Sequence, residues 1–402
     1  MNASIYELLD LVARWVHVIA GIMWVGNSLL FNWLDRTLVP SHRSGDGLSG
    51  ESWLLHSGGF YFVEKTQLVG QPLPHPLHWF KWQAYTTWLT GAALLVVVYY
   101  AGGRAVMAEP GVGALSHGAA VAIGVGAVVG GWALYELVQR LIAPRAPFVA
   151  TAVLLALFVG VVYALTHLLN GRAAFVHVGA LLATIMAGNV AMTIIPSQRL
   201  LVQSVLGSGR ADPAISARAK RVSIHNNYFT FPVIALMVSG HLPSLNAHRW
   251  NWLVLLAIVA SGAAVRHVLN IRFTFQRWRT ALAAIVTISV VGLFAALSSP
   301  ALPEGGVAAA LDVPATVAFD DARRIIDRRC AACHSAHPSD VSLGIGPAGV
   351  MFDTPEQIVS RLARIRERAV VTRTMPPGNK TRMTDRERAM LGRWIDQGGV
   401  SR

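Results

Sequence analysis

Charge is scarce in this 402-residue chain: Asp, Glu, Lys and Arg make up 14% of it, against roughly 25% in soluble proteins. That scarcity excludes an ordinary soluble globule and a disordered charged tail. Cysteine is scarcer still. The two present, Cys330 and Cys333, fall in one five-residue stretch, so no disulfide framework holds the chain together. Acidic residues are outnumbered, 21 against 34 basic ones. The excess gathers in particular loops, so it reads as membrane topology and not as a nucleic-acid footprint. The first ten residues hold Glu7 and Asp10 and no basic side chain. A secretory signal opens on positive charge, so the first apolar run reads as a retained helix.

What is present is apolar: 53% of the residues, gathered into long runs. A helix crossing a ~30 Å hydrocarbon layer needs about 20 such residues. Runs of that kind lie near 11–34, 85–100, 121–141, 148–168, 176–195, 229–242, 252–271 and 281–297. The sixth is short and carries Pro232, which predicts a kink. The expected fold is all-α: a polytopic membrane bundle of about eight transmembrane helices over 1–299. A small, nearly uncharged linker follows over 300–315. From Thr316 to Arg402 there are 15 basic and 10 acidic residues and no long apolar run. That predicts a soluble all-α domain over 316–402, small enough to need a staple such as a cofactor.

The loops assign sides. With the N-terminus outside, the inner segments hold Arg36, Arg43, Lys65, Lys81, Arg140, Arg145, Arg199, Arg210, Arg218, Lys220, Arg221, Arg272, Arg277 and Arg279; the outer loops hold Arg104, Arg172 and Arg249. Basic residues favour the cytoplasmic side. Eight spans then return the C-terminal domain to the periplasmic face of a bacterial inner membrane. A weak internal echo accompanies this: Val16-His17-Val18 leads to Gly26-Asn27 as Val176-His177-Val178 leads to Gly188-Asn189, and His78 precedes the second span as His225 precedes the sixth. Such an offset of four helices describes a parallel 4+4 repeat.

Cys330-Ala331-Ala332-Cys333-His334 is the C-x-x-C-H signature of covalent haem c attachment. Two thiols spaced on a helical turn meet the two haem vinyl groups, and the next residue, His334, is held under the iron. Zinc would need four ligands, and too few are present. The upstream stretch 320–329 has helical periodicity, and 385–397 reads as a closing helix packed on it. Met375, held before two prolines, is the candidate sixth ligand, with Met351 and Met383 as competitors. His/Met ligation would raise the reduction potential. Covalent haem attachment in bacteria takes place in the periplasm, which agrees with the loop charges.

Ionisable groups within spans point to function. His17, His117, His167 and His177 fall in the outer half, with His241 at that rim; His78 and His225 lie at the inner rim, and His267 beside Arg266. Two uses compete: ligation of a second, non-covalent haem b, or a polar pocket for a small anion. His17-x6-Trp24-x-Gly26 is similar to a first-helix pattern of small membrane haem proteins, so His17 is a candidate haem b ligand, and so is its echo partner His177. Arg266, buried at mid-depth, needs a partner such as Glu136 or a bound anion.

Three segments, 15–27, His78-Trp79-Phe80-Lys81-Trp82-Gln83-Ala84-Tyr85 and His225-Asn226-Asn227-Tyr228-Phe229-Thr230-Phe231-Pro232, carry a resemblance spanning residues 5–400. With its histidine-rich helices fused to a cytochrome-like tail, the chain resembles the membrane-bound, cytochrome c-linked urate hydroxylases of bacteria. The resemblance implies oxidation of urate to 5-hydroxyisourate, with electrons passed to cytochrome c and on to a respiratory acceptor. It carries over no catalytic residues. Urate is a planar anion, and Arg266, Asn226, Asn227 and Gln83 are the residue types to bind it. Two electrons leave urate while one haem c takes one at a time, which favours a haem b between them. An electron conduit serving a partner dehydrogenase remains the alternative.

Overall fold

The computed structural model describes residues 3–42, 47–101, 107, 115–240, 242–246, 248, 250–298, 312–339, 347–371, 373–376, 379 and 381–399. Most of the linker, Arg43, Arg104, His241 and Arg249 lie outside them. Eight long helices occupy the first 298 residues: α1 Ala3–Thr37, α2 over 82–100, α3 His117–Leu141, α4 Pro147–Leu168, α5 Gly171–Ser208, α6 Pro213–Ser239, α7 Asn251–Ile271 and α8 Trp278–Ser298. Six of them are long and apolar enough to cross a membrane: α1, α3, α4, α5, α7 and α8. The remaining two coincide with expected spans but are shorter or mixed. In α6 the first half carries Arg218, Lys220 and Arg221, and only the second half is apolar.

Several helices run past the expected spans. Both α1 and α5 extend well beyond a bilayer's thickness, by continuing into segments such as 197–208 that are polar yet helix-compatible. Within α5, one π-helical turn covers Asn189–Ile194; α2 ends in another, Leu95–Tyr100. Such bulges are frequent at functional sites because they rotate side chains out of the regular pattern.

The bundle is built around α5, which packs on α2, α3, α4 and α6. Its small residues Ala173, Ala174 and Gly179 let neighbours approach, and Phe175 and Val178 fill the core with Leu236 of α6 and Leu255 of α7. Apolar side chains on the outer helices stay uncovered: Leu11 and Ile22 of α1, Phe148 of α4, Ile288 and Phe294 of α8. Without a hydrophobic drive between helices in lipid, close packing of small residues holds them together. Pro232, inside α6, needs a glycine opposite, since a Cβ on Gly262 of α7 would sit 2.9 Å from the Pro232 nitrogen.

The expectation of an all-α chain is corrected by a hairpin between α1 and α2. Strands β1 Leu48–His56 and β2 Gly59–Thr66 pair antiparallel. Ser57 (φ 50°) and Gly58 (φ 77°) make the two-residue turn, both left-handed as a type I′ turn requires. Cross-strand pairs Trp53–Phe62 and Leu55–Phe60 supply the β-forming contacts.

Residues 312–399 build a second core of their own from Val317, Ala322, Ile326, Phe352, Ile358, Met383, Leu391 and Trp394. Its helices are α9 Phe319–Arg329, α10 Pro355–Val359, α11 over 362–371 and α12 Asp385–Asp396. Thr354 with Gln357, and Thr384 with Glu387, form capping boxes that start α10 and α12. Arg329 at the end of α9 holds Glu387 through Nε (3.0 Å) and Nη2 (2.9 Å), locking α9 to α12.

Candidate functional site

A cavity of about 1100 Å³ opens at the end of the bundle where α1, α2, α5, α6 and α7 meet the strand exit at Lys65–Leu68. Its wall combines rings from Trp24, Phe31, Trp79 and Tyr228 with the amides of Asn27, Gln83, Asn226, Asn227 and Asn270. Arg36, Lys65 and Lys220 outnumber the single carboxylate Asp35, which pairs with Lys65 at 2.6 Å. The balance of charge favours an anion.

Three of the four residues expected to bind substrate, Gln83, Asn226 and Asn227, reach this wall. Arg266 stands behind it. Its Nε donates to Asn227 Oδ1 (2.9 Å), and Asn270 Nδ2 donates to the same oxygen (2.7 Å). With its oxygen doubly engaged, Asn227 is oriented with the amide NH2 left for the cavity. The Arg266 guanidinium also lies over the Phe231 ring, 5.4 Å from its centroid. Glu136 is not its counter-ion: that carboxylate takes Arg140 one turn along α3, at 3.2 Å.

Three buried polar atoms at this end have no partner: Gln83 Oε1, Asn270 Oδ1 and Arg266 Nη2. An unmade buried hydrogen bond costs about 1–3 kcal/mol, so two acceptors and one cationic donor left unmet describe a ligand of complementary pattern. Such a ligand offers N–H donors and a carbonyl or anionic oxygen.

Asn226 is fixed from behind by a chain through three helices. Asn189, in the π turn of α5, donates to Asn226 Oδ1 (2.9 Å) and to the Tyr135 hydroxyl (3.1 Å), which also bonds His225 Nδ1 (2.7 Å). Asn226 Nδ2 donates in turn to the Met186 carbonyl (3.0 Å). Reading the sequence missed Asn270 and Tyr135. Asn270 was within reach, since a polar side chain in a hydrophobic span signals a function.

The histidines do not converge. His17 Nδ1 bonds the Thr87 carbonyl (2.9 Å) and Thr90 hydroxyl, with its ring against Gly91. His177 has both nitrogens engaged, Nδ1 with the Ala173 carbonyl (2.7 Å) and Nε2 with the Tyr100 hydroxyl (3.2 Å). Its Nε2 also lies where a Cβ on Gly124 would stand only 2.6 Å away. The two rings meet α2 ten residues apart, about 15 Å along its axis. Both His177 nitrogens are taken up by protein partners in this arrangement, whereas His17 keeps Nε2 available. His117 reaches the Tyr100 carbonyl, His167 stacks on Tyr163 and His267 meets the Tyr228 hydroxyl. Among the described residues only His78 lines the cavity.

In the C-terminal region α9 ends at Cys330, and the chain turns so that His334 N–H donates to the Cys330 carbonyl (2.9 Å). Neither cysteine is in a disulfide, with Cys333 buried and Cys330 half-buried. Burial pushes the Cys330 thiol up to about 12. A redox-active C-x-x-C depends on a lowered thiol pKa, so this pair is unsuited to that chemistry. His334 Nδ1 bonds the Val350 carbonyl (2.9 Å), which sets the tautomer and leaves Nε2 for a metal. The His334 ring packs on Phe352 at 5.4 Å. These residues fit a covalently held haem. Met375 is half-buried, whereas Met383 is buried in the core. No three His, Cys, Asp or Glu side chains gather as a simple metal site among the described residues.

A family model described as urate oxidase N-terminal matches residues 3–297. No curated protein and no solved structure matches the chain.

Proposed function

The chain belongs to the urate oxidase N-terminal family, and from that premise we propose that it is a membrane enzyme oxidising urate in the cavity between α1, α2, α5, α6 and α7. The observation that carries this is the set of unmet buried atoms. Urate is a flat purine anion edged by N–H groups and carbonyl oxygens. Gln83 Oε1 and Asn270 Oδ1 suit the former, and the Asn227 amide, held from behind by Arg266, suits the latter. Trp24, Trp79 and Tyr228 offer faces for stacking.

The reaction balances as urate plus water giving 5-hydroxyisourate, two protons and two electrons. No oxygen is consumed. His78 is the imidazole on the wall, and it is placed to take a proton from the attacking water. Fixed amides orient the purine before reaction, so little reorganisation is needed as charge shifts. Electrons leave toward the C-terminal region, where Cys330 and Cys333 would hold a haem c, with His334 and Met375 as its iron ligands. When bound, that group accepts one electron at a time. A non-covalent haem b on His17 would stand between the two.

Basic residues cluster at the cavity end, so substrate enters from the cytoplasm, while eight crossings return residues 316–402 to the periplasmic side. Anaerobic mixing of purified protein with urate tests the reading: reduced haem bands appear at a rate that saturates with urate. Covalent haem that dithionite reduces and urate does not would overturn it in favour of the electron conduit.

A further inference from the structure

Arg388, in the first turns of α12, is 4% exposed. The two carboxylates just before it on α12 pair with other cations, Glu387 with Arg329 and Asp385 with Arg373. Among the described residues no carboxylate forms an ion pair with it. Its guanidinium donates, among the described residues, to oxygens of one neighbouring stretch of chain. Nη1 donates to the Ala369 carbonyl and to the Met375 carbonyl (2.7 Å), and Nη2 donates to Asn379 Oδ1 (3.3 Å).

That stretch is built to be held. Met375 N–H donates to the Arg368 carbonyl (2.9 Å), so both backbone groups of this residue are engaged. Asn379 takes the Met383 N–H (2.8 Å) and returns a bond to the Met383 carbonyl (2.9 Å). Arg373, Asn379 and Arg382 all adopt left-handed backbone (φ 51–57°) without being glycine. Such conformations persist where surrounding contacts over-determine them. Arg388 is the contact that Ala369, Met375 and Asn379 share.

We propose that Arg388 is the positioning residue for Met375: it fixes the backbone from which the thioether reaches the haem iron, and its buried charge favours the reduced haem. The inference rests on the reading of Cys330, Cys333, His334 and Met375 as a haem c site. A buried cation opposes the positive charge of oxidised iron and raises the reduction potential. The guanidinium's fork reaches three oxygens at once, which a lysine ammonium on a single-point stem does not reproduce.

The test uses the full-length holoprotein and three variants, R388Q, R388K and N379A. In R388Q the covalent haem stays on denaturing gels, the weak long-wavelength sulfur-to-iron band is lost and the potential falls. R388K loses the band with a smaller fall, because the charge remains. N379A, which removes one arm of the clamp, weakens the band and keeps the potential nearer wild type. If R388Q does not accumulate, R388K and N379A decide the matter through the same band. Unchanged bands and potentials in the variants, beside a wild type that shows the band, would overturn the inference alone. A wild type with no covalent haem would overturn the haem reading beneath it.

Discussion

Arg266 Nε and Asn270 Nδ2, one turn apart on α7, donate to the same Asn227 oxygen of α6, at 2.9 and 2.7 Å. The shared acceptor turns two helices into one rigid wall and leaves Arg266 Nη2 without a partner. Charge-assisted hydrogen bonds are worth about 1.5–3 kcal/mol. Arg266→Gln should therefore raise the urate concentration for half-maximal anaerobic haem reduction by about 10- to 100-fold. Titration of the reduction rate with urate measures it; an unchanged half-saturation removes Arg266 from the site.

Gly262 meets the backbone of Phe231 and Pro232, which cannot move aside as a flexible side chain can. Gly262→Ala should destabilise the bundle by about 1–3 kcal/mol, the usual cost of overpacking. Gly26→Ala and Gly126→Ala, with nothing within 4 Å of the new methyl, are the controls. Thermal unfolding in detergent compares the three, and equal midpoints would contradict the tight α6–α7 crossing.

Burial alone would push the Glu387 carboxyl up, but the Thr384 N–H and the Arg329 guanidinium outweigh it and hold the carboxyl below its ordinary value. A carboxylate depressed in the folded state adds stability above its unfolded pKa of about 4.3. That stability is lost as the pH falls through the folded value. Acidification below about pH 4 should therefore loosen α12 in wild type. Hydrogen exchange of residues 385–396 in Glu387→Gln should already be raised at pH 7 and change less on acidification. A variant with wild-type acid sensitivity would assign the effect elsewhere.

Covalent attachment is tested by Cys330→Ala and Cys333→Ala, each of which should lose haem from a stained denaturing gel or weaken its retention. Met375→Ala should abolish the sulfur-to-iron band and lower the potential. Met383→Ala should instead cost about 2–5 kcal/mol of stability through a core cavity, because Met383 is 2% exposed within the C-terminal core. Loss of the band in Met383→Ala alone would exchange the two roles.

Sidedness needs no activity. A phosphatase fused after Arg402 should be active, and one inserted within 207–210, at the basic-loop end of α5, inactive. The opposite pattern would move the cavity to the periplasmic face.

Hydropathy located the helices, because a run such as 148–168 has no competing explanation; it could not say where α1 and α5 stop, since segments like 197–208 continue a helix outside lipid. The hairpin was legible in His56-Ser57-Gly58-Gly59 between alternating aromatic residues, yet charge counting passed over the loop that holds it. Asn226, Asn227 and Gln83 were recognisable by type and depth. Their relation to Arg266 was not, because which of two neighbouring amides faces a cavity depends on helix rotation. His17 and His177 share a sequence setting but meet α2 at different levels, and sequence similarity carries no information about that height.

The cavity's basic wall residues Arg36, Lys65 and Lys220 lie on the basic-loop side, and the proposed topology puts residues 316–402 on the far side of the bilayer. On the proposed reading each urate therefore delivers two electrons outward through the hydrocarbon layer. Moving one charge across 100 mV is worth about 2.3 kcal/mol, so a potential negative inside drives each turnover by roughly 5 kcal/mol per 100 mV. The membrane voltage becomes a co-reactant: purine oxidation would draw on it, and collapsing it with an ionophore would slow the transfer in sealed vesicles while leaving the detergent-solubilised enzyme unaffected.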